Sequence, residues 1–296
     1  MFKRILVSLD GTPRDIEALA VAEHLAESTG ATLLLARFVP LDATPGQVTN
    51  TRMQLRKEAS HVWSKGIEAD LILEHGEGVP AMAYAVRRHH ADLVLIVPER
   101  RDALELLWYP RSSVLELAAL PAPLLIWPEG ATHTDLFHDP DACVLVPLDG
   151  SDESERALPF GIAIADGFQR NLVLARVMPM TYHAAGASQR PGPVESDPYL
   201  VPLKERLSRI GIENVRVVST TGPVSQELLH TVEDVHADLI VMTAHAQSGP
   251  ARFFAGCVAT NLLRRAEVPV LLIPREAILA FGPAIREEIF VLNLQQ

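Results

Sequence analysis

The chain has 296 residues, with 26 Lys+Arg against 37 Asp+Glu, for a formal net charge of −11. That length suggests about two domains; 48% hydrophobic and 21% charged residues exclude wholesale disorder, and the acidic balance argues against nucleic acid as a partner, since neutralising phosphates needs Lys and Arg. Two cysteines exclude a disulfide framework and suit a reducing compartment, so a cytoplasmic location is expected; no apolar run reaches the roughly 20 residues that span a bilayer, and Met1-Phe2-Lys3-Arg4 leads into a strand rather than a signal peptide.

Ile5 to Leu9 reads as a short apolar strand, broken only by Ser8. Pro13 to Ser28 places Ile16, Leu19, Ala20, Ala22 and Leu25 at helical spacing, with Gly30 as a stop. A strand over Ala31–Val39, a helix over Arg52–Gly66 and a strand over Glu68–Glu74 follow. A helix over Val79–His90, a strand over Leu93–Val97, a helix over Ser112–Leu120 ended by Pro121, and a strand over Leu124–Trp127 complete the first half.

The same order then returns. Strands are expected over Cys143–Leu148, Leu172–Met178, Asn214–Ser219, Leu239–Met242 and Val270–Ile273. Helices are expected over Glu155–Gly167, Pro202–Ile210, Val224–His236 and Cys257–Arg265. Ile5-Leu6-Val7-Ser8-Leu9-Asp10-Gly11 recurs 139 residues on as Val144-Leu145-Val146-Pro147-Leu148-Asp149-Gly150, and Ala91-Asp92-Leu93 recurs 146 residues on as Ala237-Asp238-Leu239. Pro123 to Pro269 repeats the second offset. The chain is thus a tandem duplication whose second copy has gained one loop's worth of residues. Strands apolar along their whole length are buried on both faces, which implies parallel sheets covered by helices. The fold class is therefore α/β, two tandem doubly wound Rossmann-like domains, at 1–130 and 141–275. A tail at 276–296, a polar linker at 129–141 and a Pro/Gly-rich loop at 179–198 fall outside the pattern.

In such sheets the ligand crevice lies beyond the carboxyl ends of the strands. Leu9-Asp10-Gly11-Thr12 and Leu148-Asp149-Gly150-Ser151 sit there. Asp and Gly also suit the strand-to-helix turn itself, with Thr12 or Ser151 near the cap of the next helix, and on residue type this reading is favoured. In the second copy, Val241-Met242-Thr243-Ala244-His245-Ala246 ends the fourth strand, and Gly256-Cys257-Val258-Ala259 is expected to open the last helix. A loop returning to a helix N-terminus can present several N–H groups to an anion.

On these residues the chain resembles the universal stress protein family: Val-Pro-Leu-Asp-Gly-Ser at 146–151, Ala-Asp-Leu-Ile-Val-Met at 237–242, His245, Gly256-Cys257-Val258-Ala259 and Val268-Pro269-Val270-Leu271. The family's ATP-binding members carry Gly, two residues, Gly, nine residues, Gly and Ser/Thr. Those positions here are Thr243, Ala246, Gly256 and Cys257, with the spacing kept and the chemistry eroded; in the first copy they are Val97, Arg100, Pro110 and Arg111, and Pro110 has no N–H to donate. The resemblance implies a structural first copy and a second copy that binds ATP or another adenine nucleotide weakly, with Mg an available companion. It assigns Pro147 and Asp149 to the nucleoside, Val177 and Met242 to the base, and Thr243, His245, Ala246, Gly256, Cys257, Val258 and Ala259 to the phosphates. It further implies a stress-response regulatory or protective module that is not an enzyme, with its two domains packed through 124–127 and 270–273 as an intramolecular pseudo-dimer. A homodimer and an unidentified protein partner are compatible with it, and neither a nucleic acid nor a membrane is expected. Two other readings stand beside it: a nucleotide-independent protein–protein adaptor, and a weak ATP hydrolase with Asp149 and His245 as its candidates.

Other constellations carry less. His89-His90 ends a predicted helix, where a cation suits the dipole. His133 and His138 share the linker with Asp135, Asp139 and Asp141 but lack zinc spacing. Cys143 reads as an inert core thiol, whereas Cys257 at a helix start would be the more reactive one. The chain has no Walker Gly-x-x-x-x-Gly-Lys run.

Overall fold

A computed structural model describes residues 2–98, 117, 119–128, 131, 142–178, 196–244 and 252–278, with 252–257 described by their helical course alone. The chain divides into two compact units, the first drawn from Met1–His133 and the stretch opening at Leu272, the second from Thr134–Leu271.

In the first unit, β1 (Arg4–Ser8) lies between β2 (Thr32–Val39) and β4 (Leu93–Ile96), with β3 (Ala69–His75) outside β2 and β5 (Leu124–Ile126) outside β4. All four pairings are parallel. Leu6 pairs with Leu34 on one side and Val94 on the other, and all three are fully buried. Such strands can be apolar on both faces because helices α1 (Asp15–Thr29), α2 (Pro45–Ser64) and α3 (Gly78–His89) cover the sheet. Gly30 ends α1 in the left-handed conformation at φ 70°, as its place in the sequence implied.

The second unit repeats this plan. Its order is β8 (Val215–Thr221), β7 (Asn171–Met178), β6 (Cys143–Pro147), β9 (Ala237–Thr243), with parallel pairings, and β10 (Val270–Ile273) comes next to β9. The helices are α4 (Asp152–Glu155), α5 (Leu158–Gly167), α6 (Leu200–Arg209), α7 (Val224–Asp234) and α8 (Arg252–Arg265). The α/β fold class and the tandem organisation expected from the repeats are thus observed.

Three helix expectations need correction. α2 begins at Pro45, seven residues before the expected Arg52, because Thr44 and Gln47 form a capping box with Pro45 in the first turn. The expected Glu155–Gly167 helix is two pieces, since Pro159 at the start of α5 has no N–H to continue the ladder from α4. The last helix begins at Arg252 rather than Cys257. Gly256 read as a boundary, but a helix tolerates an internal glycine at about 1 kcal/mol relative to Ala. The expected helix over 112–120 falls mostly outside the described residues.

Candidate functional site

In both units the first strand ends in the same turn. Gly11 and Gly150 adopt φ 90° and 89°, the left-handed region that favours glycine. The Asp10 carboxylate accepts the Thr12 N–H at 2.9 Å, and Asp149 accepts the Ser151 N–H at 2.9 Å and its hydroxyl at 2.6 Å. Ser151 then caps α4, accepting the Ser154 N–H at 3.2 Å. The turn role of Asp and Gly, favoured on residue type, is therefore present, and it fixes each carboxylate at its strand tip.

Beyond that turn in the second unit lies a cavity of about 260 Å³, at the carboxyl ends of β6, β7 and β9. It is lined by Pro147, Asp149, Val177, Met242, Thr243 and Val258 from the sequence-predicted set. The walls are largely apolar, with Val224 and Leu228 of α7 closing one side. The volume falls just below the roughly 300–1,000 Å³ usual for ligand sites, so it suits a base rather than a whole nucleotide. Ala259 is buried inside α8 and is not among the lining residues. His245 and Ala246, and the side chain of Cys257, lie outside the described residues, as do the first-copy positions Arg100, Pro110 and Arg111. Gly256 and Cys257 sit one turn inside α8, not before it. Their N–H groups therefore belong to the helix ladder, and the orphan donors of that helix start are those from Arg252.

Sequence reasoning missed Ser154 and Arg176 in the lining. Arg176, the sixth residue of β7, pairs with Asp197 at 3.3 Å and stacks over Tyr199 at 5.0 Å from its centroid. Asp197 is fully buried and also accepts the N–H groups of Tyr199 and Leu200 at 2.8 and 3.0 Å and the Ser219 hydroxyl at 3.0 Å. Burial pushes its carboxyl up, but those hydrogen bonds and the Arg176 charge outweigh burial and hold it below the usual range. The signal for Arg176 was its counterpart: Arg37, 139 residues earlier, is also the sixth residue of its strand.

The first-unit counterpart is arranged differently. Arg37 Nη2 donates to Asp15 at 2.7 Å and to Glu58 at 2.5 Å, and its Nη1 donates to Gln54 at 3.0 Å. The Asp15 carboxylate also accepts the N–H groups of Asp10 and Gly11 at 3.0 and 2.9 Å. Burial, ahead of the opposing Arg37 charge, raises the carboxyls of both Asp15 and Glu58.

Elsewhere, Cys143 is buried, its thiol pushed up to about 12 by burial and by the Asp238 charge. His89 meets Glu74 at 3.0 Å at the end of α3. Among the described residues no group of three or more His, Cys, Asp or Glu could hold a metal, and no helix is long and apolar enough to cross a membrane. The linker residues His133 and His138 lie outside the described residues.

The chain matches the Universal stress protein family over residues 1–116 and again over 143–274. Two curated relatives, the universal stress proteins Rv1636 and MT1672 of Mycobacterium tuberculosis, are each 28% identical over 137 residues, covering 44% of this chain and 94% of their own. The match therefore spans one copy of what this chain carries twice. A universal stress protein from Archaeoglobus fulgidus superposes with a TM-score of 0.67 at 18% identity, covering 92% of this chain and 96% of that one. A protein described as a putative universal stress protein from Pseudomonas aeruginosa gives 0.61 at 15%, covering 99% and 98%. At those identities the likeness is one of fold.

Proposed function

The chain belongs to the universal stress protein family in two tandem copies, and from this we propose that it is a regulatory or protective binding module whose second unit holds an adenine nucleotide, ATP foremost, with low affinity. The observation that carries the reading is the cavity at the strand tips of the second unit, where six residues assigned to the site from sequence converge. Apolar walls from Val177, Met242 and Val258 suit the faces of a purine, and Asp149 at the strand tip can accept from a ribose hydroxyl. In this reading His245, Ala246 and the start of α8 meet the phosphates, with Mg accompanying them. Low affinity follows from Thr243 and Ala246, which stand where ATP-binding members carry glycine, and from Cys257, a weaker donor than Ser. The module is not a dedicated enzyme, acts in the cytoplasm, and works through a protein partner or a second copy of itself.

The test is to denature the purified protein, assay the released solution for ATP, ADP and AMP, and titrate the native chain with Mg-ATP. Saturable binding without turnover above background is the expected result. Absence of nucleotide in both assays would replace this reading with the adaptor, which the same lost glycines favour, and turnover would establish the hydrolase.

A further inference from the structure

The two units place an arginine at the same position of the second strand of each sheet and use it differently. Both arginines lie against the turn after the first strand, Arg37 Nη1 standing 3.0 Å from where a Cβ on Gly11 would lie and Arg176 Nη2 3.4 Å from where one on Gly150 would lie; they differ in partners and in exposure, the Arg37 side chain being only 7% exposed. Asp15 holds Arg37 there, since one carboxylate both receives the turn's N–H groups and pairs with the guanidinium. Glu58, 21 residues after Arg37, accepts from the same Nη2, and Gln54 accepts from Nη1.

In the second unit Arg176 also has a distal carboxylate partner, Asp197, which lies ahead of α6 rather than inside the helix as Glu58 does. The proximal carboxylate is not kept. The residue 139 positions after Asp15 is Ser154, whose hydroxyl accepts the Asp149 N–H at 3.3 Å just as Asp15 accepts that of Asp10. A neutral hydroxyl on a short stem has neither the charge nor the reach to hold a guanidinium. The Arg176 side chain accordingly remains 26% exposed, and it and Ser154 both line the cavity.

We propose that the residue at this position decides whether the crevice is filled from within: Asp15 makes Arg37 an internal occupant of the first-unit crevice, and Ser154 keeps the second-unit crevice open to a ligand. The inference rests on the nucleotide reading only for the identity of that ligand.

Ser154→Asp in the full chain tests it, with Ser154→Asn as the uncharged control of the same shape. The first readout is independent of any ligand: phenylglyoxal modification of individual arginines, followed by peptide mass spectrometry. Native protein should show Arg176 reacting and Arg37 protected. Ser154→Asp should slow Arg176 by about tenfold, the factor that one hydrogen bond to a charged group supplies, and should weaken Mg-ATP binding by a similar factor. Ser154→Asn should leave Arg176 as reactive as in the native chain. Asp15→Ser carries the test from the other unit, exposing Arg37 to the reagent, and serves if the first variant does not fold. Unchanged Arg176 reactivity in Ser154→Asp, or equal protection by Asn, would overturn the proposal. If the reactivities follow expectation while native chain binds no Mg-ATP, the closure stands and the nucleotide reading falls.

Discussion

Asp197 is a fully buried carboxylate that accepts from two backbone N–H groups, a hydroxyl and a guanidinium, and so pins the residues ahead of α6 to β7 and β8. Removing it leaves those donors unmatched, so Asp197→Ala should cost about 3–5 kcal/mol of unfolding free energy at pH 7, measured by urea titration. The pH dependence has a definite sign. Its folded carboxyl titrates below the unfolded one, so its contribution is present above about pH 4 and is lost as pH falls through the folded value. The gap between native chain and variant should therefore narrow in acid; a gap independent of pH would contradict the assigned charge. Cys143 makes a second residue-scale expectation. A buried thiol held up to about 12 and donating to the Val235 carbonyl stays protonated at neutral pH. Iodoacetamide should leave it unmodified in native protein and alkylate it promptly in urea.

Helix starts were the least legible elements, for a local reason. α2 spends its first turns on Pro45, Gly46, Gln47 and polar residues with little apolar periodicity, since only Leu55, Ala59 and Val62 of it are buried. The cue was the capping box instead: Thr44 N–H donates to Gln47 Oε1 at 2.8 Å, and Gln47 N–H returns to the Thr44 hydroxyl at 3.4 Å. Thr44→Ala should cost about 1 kcal/mol, read as a lower urea midpoint with unchanged m-value. An unaffected midpoint would mean that tertiary packing alone fixes this end. Strands were more legible, because a fully apolar run bounded by Asp-Gly or Gly-Ala has few alternatives in a covered parallel sheet. The turn after the first strand was legible for the same reason: Asp10-Gly11-Thr12 and Asp149-Gly150-Ser151 are made by adjacent residues. Arg37, Arg176 and their anchors were not, because partners 21 and 22 residues apart meet only once helix and strand are packed.

At the scale of the whole molecule, duplication has produced two units with the same strand order whose described residues arrange the strand-tip arginine differently. The first fills its strand tips with two carboxylates and a shared guanidinium; the second surrounds a cavity. A chain with two copies of one fold should therefore bind one nucleotide, not two, and isothermal titration with Mg-ATP should give a stoichiometry near one per chain. Linkage sharpens the test. A ligand at 100 times its Kd stabilises the species that binds it by about 2.7 kcal/mol and leaves a species that does not bind it unchanged. Hydrogen exchange with and without Mg-ATP should accordingly slow in β6, β7 and β9 and stay level in β1, β2 and β4. Equal slowing in both sets, or a stoichiometry of two, would show that the Asp15–Arg37–Glu58 cluster does not close the first crevice and that the copies are functionally alike.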